Sequence, residues 1–174
     1  LYDPINSLYI NSVRGVRLED IKKRPKTTIP KISNWIGIKE NKTLFKSEFL
    51  EKKFSRPSYS FDNISGFDLR SIDVAIGRFF GEKDIEILET LLWPFLNTYG
   101  YTNKSKNEFT KKLNKIKPLI GQPLEFELKL KKQINFKNNK FKGIDPFYKM
   151  HQHFSDAHQT LTDKGTYPYI IKPL

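Results

Sequence analysis

Three histidines fall within eight residues of one another, at His151, His153 and His158. Imidazole is the side chain most often used to ligate a metal or move a proton near neutral pH. On a helix, His151 and His158 share a face with Phe154 between them, whereas His153 points away. A zinc site on a helix asks for an i,i+4 pair and a third donor. Here the nearest carboxylate, Asp156, is three residues after His153 and five after His151, so no three-ligand geometry follows and no metal is expected. The histidines read instead as packed or partner-contacting groups. The adjacent acids Glu19 and Asp20 end a candidate strand, and in an open α/β sheet that edge is where ligands bind. The structural reading is that they accept from exposed backbone N–H groups or pair with Arg14 or Arg17. No nucleophile elbow precedes the late histidines, and no glycine-rich phosphate loop of either common type is present. With no cysteine in the chain, thiol catalysis, disulfides and Cys-ligated metals are excluded.

The segment Lys52–Ser60 (KKFSRPSYS) offers different chemistry. Lys52, Lys53 and Arg56 lie within five residues, interleaved with Phe54, Ser55, Ser58 and Tyr59. Pro57 pushes the residue before it away from helix. Several donors on a stiff loop suit an anion, and the Arg56 guanidinium could grip one with a two-pronged fork. The same residues also fit a solvated basic surface loop.

The elements that must carry these groups begin with Asn11–Gly37. Val13, Val16 and Leu18 mark a buried strand, and Glu19–Asp20 a polar turn. A helix then opens near Thr27 or Thr28, with Pro30 in its first turn. Ile29, Ile32 and Ile36, with Trp35 beside them, make its apolar face, and Gly37 stops it. Further on, Asp68 opens a short helix through Leu69, Ile72, Ile76 and Phe79. The strongest helix follows: Ile85, Leu88, Leu92 and Leu96 form a stripe widened by Ile87, Leu91 and Phe95. Pro94 should kink it, and Gly100 should end it with Tyr101 folding back. Ser105 and Glu108 spell a capping box for a helix with a narrow stripe at Phe109, Leu113 and Ile116. Residues 125–136 satisfy both periods: Phe126, Leu128 and Leu130 alternate as in a strand, while the Glu, Leu and Lys content favours the helix we assign. Pro146 opens the last helix, and the tail Gly165–Leu174 runs extended with Tyr167, Tyr169 and Ile171 as anchors.

The order of two of these pieces carries a resemblance. G-V-R-L-E-D-I at 15–21, a proline-bearing link and a helix closing in W-I-G-I resemble the C-terminal half of PAPS-dependent sulfotransferases, and Asp84–Tyr101 resembles that family's late helix. The resemblance implies the later part of a three-layer, parallel-sheet α/β domain, predominantly helical in this stretch, with Glu19 in a structural role. It implies PAPS as cofactor and sulfuryl transfer to a hydroxyl or amine. Lys52, Lys53, Arg56 and Ser58 then become candidates for the 3′-phosphate, although the glycine and tryptophan usual in that loop are missing. The family's phosphosulfate loop and catalytic histidine would lie upstream, so this chain would need a preceding segment or a companion chain to be active.

At 174 residues the chain suits one domain, or the latter part of a larger one. Within it, residues 1–60 read as a strand–helix unit with the basic loop, and 61–174 as a helical region with an extended tail. A net charge of +12 favours anionic partners. Lysine far outnumbers arginine, however, so the excess also fits compositional bias. The alternative to an enzyme is a basic module that binds nucleic acid or protein, but its basic runs are scattered and match no named nucleic-acid motif. No run of eighteen apolar residues is present, so no membrane span is expected, and the absence of cysteine sits well with a cytoplasmic setting.

Overall fold

The computed structural model describes residues 11–46, 48–49, 52–53, 67, 69, 80–133 and 146–174. The chain divides into two units: Asp3–Val74 with Ile171–Leu174, and Ala75–Ile170. The expected helix from Asp68 to Phe79 lies almost wholly outside the described residues.

In the first unit Val13–Leu18 is not an inner strand. Its contribution to pairing is one isolated parallel bridge, Gly15 to Pro173, in which Gly15 N–H donates to the Lys172 carbonyl and Leu174 N–H to that of Gly15. The supposed polar turn is the first turn of helix α1 (Leu18–Lys23), where Glu19 and Asp20 suit the positive end of the helix dipole. Leu18 is 54% exposed. Helix α2 (Pro25–Ile36) opens earlier than expected, because Pro25 takes the first helical position. Pro30 therefore falls inside the helix, where it cannot donate to the Lys26 carbonyl. Thr28 Oγ1 donates to the Asp20 carbonyl at 3.0 Å and ties α2 to α1. Gly37, at φ 78°, ends α2 with two bonds, its own N–H to Asn34 O and Ile38 N–H to Ser33 O. That paired closure requires a left-handed residue, which is why glycine stands there. A short 3₁₀ turn, Lys42–Phe45, packs on α2.

Strands β1 (Glu48–Phe49) and β2 (Lys52–Lys53) pair antiparallel, Glu48 opposite Lys53 and Phe49 opposite Lys52. This two-residue ladder is the one sheet among the described residues. A three-layer α/β domain needs adjacent parallel strands whose carboxyl ends build the ligand edge, and none is found there. The resemblance to a sulfotransferase is thereby overturned. With it go the transferase activity, sulfuryl transfer and PAPS as cofactor.

The second unit is a helical array. Helix α3 (Glu82–Leu91) continues, after a break at Leu92, into α4 (Trp93–Thr98). The break answers the expected kink, since Pro94 occupies the first turn of α4 rather than the interior of one long rod. Gly100 (φ 67°) and Tyr101 close α4, with Tyr101 N–H donating to the Leu96 carbonyl at 2.7 Å. Helix α5 (Lys106–Ile116) carries the expected box: Ser105 N–H donates to Glu108 Oε2 at 2.7 Å, and Glu108 N–H to Ser105 Oγ at 3.3 Å. Residues 125–133 settle as helix α6 (Glu125–Gln133), and α7 spans Pro146–Lys164.

Helix α3 packs against α5, α6 and α7. Ile87, Leu91, Phe109, Leu113, Ile116, Leu124, Ala157, Leu161 and Tyr167 form one buried cluster between them. Of the expected tail anchors, Tyr167 alone enters this core. Its hydroxyl donates to the Leu91 carbonyl at 2.6 Å, while Tyr169 remains 40% exposed. No helix among the described residues is long and apolar enough to cross a membrane.

Candidate ligand groove

The apolar stripe of α3 and α4 is wider than the core it serves. Ile87, Leu91 and Pro94 are buried. Ile85, Leu88, Leu92 and Leu96, the positions expected to lead the stripe, are only half-buried and line a half-open groove of ≈ 880 Å³. A helix with more apolar surface than its neighbours can cover leaves a face free to bind something else. From Ile85 to Leu96 this row runs about 16 Å at the helical rise.

Each end of the groove is set by a polar device. At one end Phe80 lines it and meets the ring of Phe126 edge-on, centroids 4.9 Å apart. Phe126 is positioned through its backbone. Asp84, with no exposed surface, accepts from Glu125 N–H at 2.7 Å through Oδ1 and from Phe126 N–H at 3.0 Å through Oδ2. The same Oδ2 accepts from Gly81 N–H at 3.3 Å. One carboxylate therefore caps the starts of both α3 and α6, satisfying donors that a helix cannot satisfy itself. Leu124 N–H, the next donor, is taken by Glu127 Oε2 at 2.6 Å.

At the other end Trp93 stacks on Phe109, centroids 4.4 Å apart and planes 13° from parallel, and its indole N–H donates to the Lys104 carbonyl at 3.3 Å. That bond holds Tyr101–Lys104 as a wall of the groove. Lys104 Nζ in turn donates to Glu89 Oε2 at 2.8 Å. This hydrogen bond, ahead of the Coulombic attraction, raises the ammonium's pKa above the ordinary lysine value. Glu108 stands beside it at the rim, held below the ordinary carboxylate value first by the backbone N–H of Ser105. The groove is thus aliphatic and aromatic along its floor, with one cation and two carboxylates at its lip.

None of the described candidate site residues picked out from the sequence lines this groove. Lys52 and Lys53 form β2, opposite Phe49 and Glu48, while Arg56 and Ser58 fall outside the described residues. The histidines do not assemble. His158 is buried and its Nε2–H donates to the Leu113 carbonyl at 3.0 Å, so it is a core group. His151 Nε2 meets Glu127 Oε2 at 3.1 Å, and His153 is exposed. No metal-holding cluster of His, Asp or Glu is present among the described residues. Asp20 pairs with Arg17 and Arg24, which flank α1, and its carboxyl is held below the ordinary aspartate value, first by the Arg24 hydrogen bond. Sequence reasoning missed the groove, although its signal was present: seven apolar positions on one helix are more than a single core contact can absorb.

No protein-family model, no curated protein and no solved structure matches this chain.

Proposed function

We propose that the unit Ala75–Ile170 is a binding module whose groove takes the apolar face of an amphipathic helix from a partner protein. The observation that carries this reading is the half-buried row Ile85, Leu88, Leu92 and Leu96 beside Trp93 and Phe80. A groove about three helical turns long fits anchors at i, i+3 or i+4, and i+7, the pattern by which helices dock in apolar grooves. Glu89, Lys104 and Glu108 then form a polar rim, which favours an occupant with charges of both signs flanking its apolar stripe. The cysteine-free composition suits a cytoplasmic setting for such a module.

The test is a fluorescence titration of the full chain in a Trp35→Phe background, which leaves Trp93 as the sole indole. The probe is a synthetic amphipathic Leu/Lys/Glu helix of about 15 residues, long enough to hold its shape. Saturable change in Trp93 emission is expected, with affinity at least about tenfold weaker in Leu88→Glu, where a charge must be desolvated. An unchanged affinity in Leu88→Glu, or no saturable signal, removes the groove as the binding surface.

A further inference from the structure

The first unit carries a second exposed apolar feature, at the closing turn of α2. Trp35 is 44% exposed, Ile36 55% and Ile38 46%, three large apolar side chains around the turn at Gly37. The expected continuous apolar face of α2 is buried only in its earlier part, at Ile29. Beyond Ser33, the last buried residue of α2, Asn34 to Glu40 are all exposed.

Along the chain the charges flanking this knob are nearly all of one sign, although Lys31 also lies within Coulombic reach of Asp20. Between 31 and 46 stand Lys31, Lys39, Lys42 and Lys46 against Glu40 alone. Lys31 lies one turn before Trp35 on the same helical face, Lys39 directly follows Ile38, and Lys42 opens the 3₁₀ turn packed on α2. Lys31, Lys39 and Lys42 are exposed. An exposed indole with aliphatic neighbours, flanked along the chain by lysines, is the composition that settles at a bilayer interface. The apolar groups enter the headgroup boundary, the indole stays at its level, and the long lysine stems keep their ammonium groups on anionic headgroups. Nucleic acid is the poorer fit. Ile36 and Ile38 have no ring on which a base could stack, and arginine, the better phosphate fork, is absent from this stretch.

We infer that the Trp35–Ile38 knob docks the protein peripherally on an anionic lipid surface. The knob supplies apolar insertion and Lys31, Lys39 and Lys42 supply attraction. This involves only the first unit and is independent of the groove.

The experiment is co-sedimentation of the full chain with phosphatidylcholine vesicles, with and without about 30% phosphatidylserine, at two salt concentrations bracketing physiological strength. Binding to the anionic vesicles is expected, weakened by salt and accompanied by a blue shift of tryptophan emission that is lost in the Trp35→Ala/Ile36→Asn variant. Trp35→Ala/Ile36→Asn should weaken it about tenfold or more, and Lys31→Glu/Lys39→Glu/Lys42→Glu should do the same. All these positions are exposed, and far-UV circular dichroism confirms that each variant folds; if one does not, the other decides. Three results would overturn the inference. One is absence of binding to the anionic vesicles. Another is full binding by the Trp35→Ala/Ile36→Asn variant, which would assign the effect to net charge alone. The third is a dimer, or a complex with random-sequence RNA, that forms at lower protein concentration than vesicle binding does and is abolished by the same variants.

Discussion

Asp84 offers the sharpest test of how the second unit is held together. Its carboxylate is fully buried and accepts from three backbone N–H groups, those of Glu125, Phe126 and Gly81. In Asp84→Ala all three donors lose their acceptor at part-buried positions. Hydrogen bonds to a charged acceptor are worth about 1.5–3 kcal/mol each. The Gly81 contact, at 3.3 Å, is long enough to count for little. The Glu125 and Phe126 bonds together place the loss at about 3–6 kcal/mol, a large part of the 5–15 kcal/mol by which domains are ordinarily stable. Asp84→Asn keeps one acceptor oxygen but turns an N–H₂ group toward a second donor, so about 2–3 kcal/mol is expected. The assay is urea unfolding followed by Trp93 emission in the Trp35→Phe background, which isolates the second unit. The same change should release Phe126, and through it Phe80, and so loosen one end of the groove. A loss below about 1 kcal/mol in Asp84→Ala would refute the dual-cap account, because no buried donor could then have been left stranded.

Tyr167→Phe removes the donor to the Leu91 carbonyl and should cost about 1–2 kcal/mol in the same unfolding assay. Ser105→Ala breaks the capping box of α5 and should cost about 1 kcal/mol, lowering the amide-exchange protection of that helix's first turn. His151→Ala leaves Glu127, 1% exposed, with Oε1 unpartnered and Oε2 holding one backbone donor. A loss of about 1–2 kcal/mol is expected for the missing hydrogen bond, and strict additivity with Glu127→Gln in a double-mutant cycle would contradict the pairing. The fold depresses the pKa of Asp20, so the stability it contributes is present above the ordinary carboxylate range and is lost as pH falls through the lowered value. Arg24→Ala should move that titration back up, as followed by carboxyl NMR.

Much of the helical unit is legible in the sequence alone. The Ser105/Glu108 box, the single stripe at Phe109, Leu113 and Ile116, the break at Pro94 and the stop at Gly100 are local features. Each is decided by residues within one or two turns of chain. The misreading of Val13–Leu18 has an equally physical cause. Three apolar residues before an acidic pair fit a strand end and a helix entry alike, and only a neighbouring strand could have decided between them. The structure offers Gly15 a single parallel bridge to Pro173, 158 positions away. Without a sheet to join, Leu18–Lys23 took the helix its own side chains favour.

Local pattern therefore decided where the helices of the second unit begin, bend and end, because capping and periodicity act over a few residues. Tertiary packing alone decided which apolar residues are core and which remain available. Ile87 and Leu91 went inward because α5, α6 and α7 close on that side of α3, while Ile85, Leu88, Leu92 and Leu96 stayed half-open. It also decided that Asp84 would cap α6, whose start lies 41 residues further along the chain. Periodicity along one helix cannot show which side a neighbour will cover.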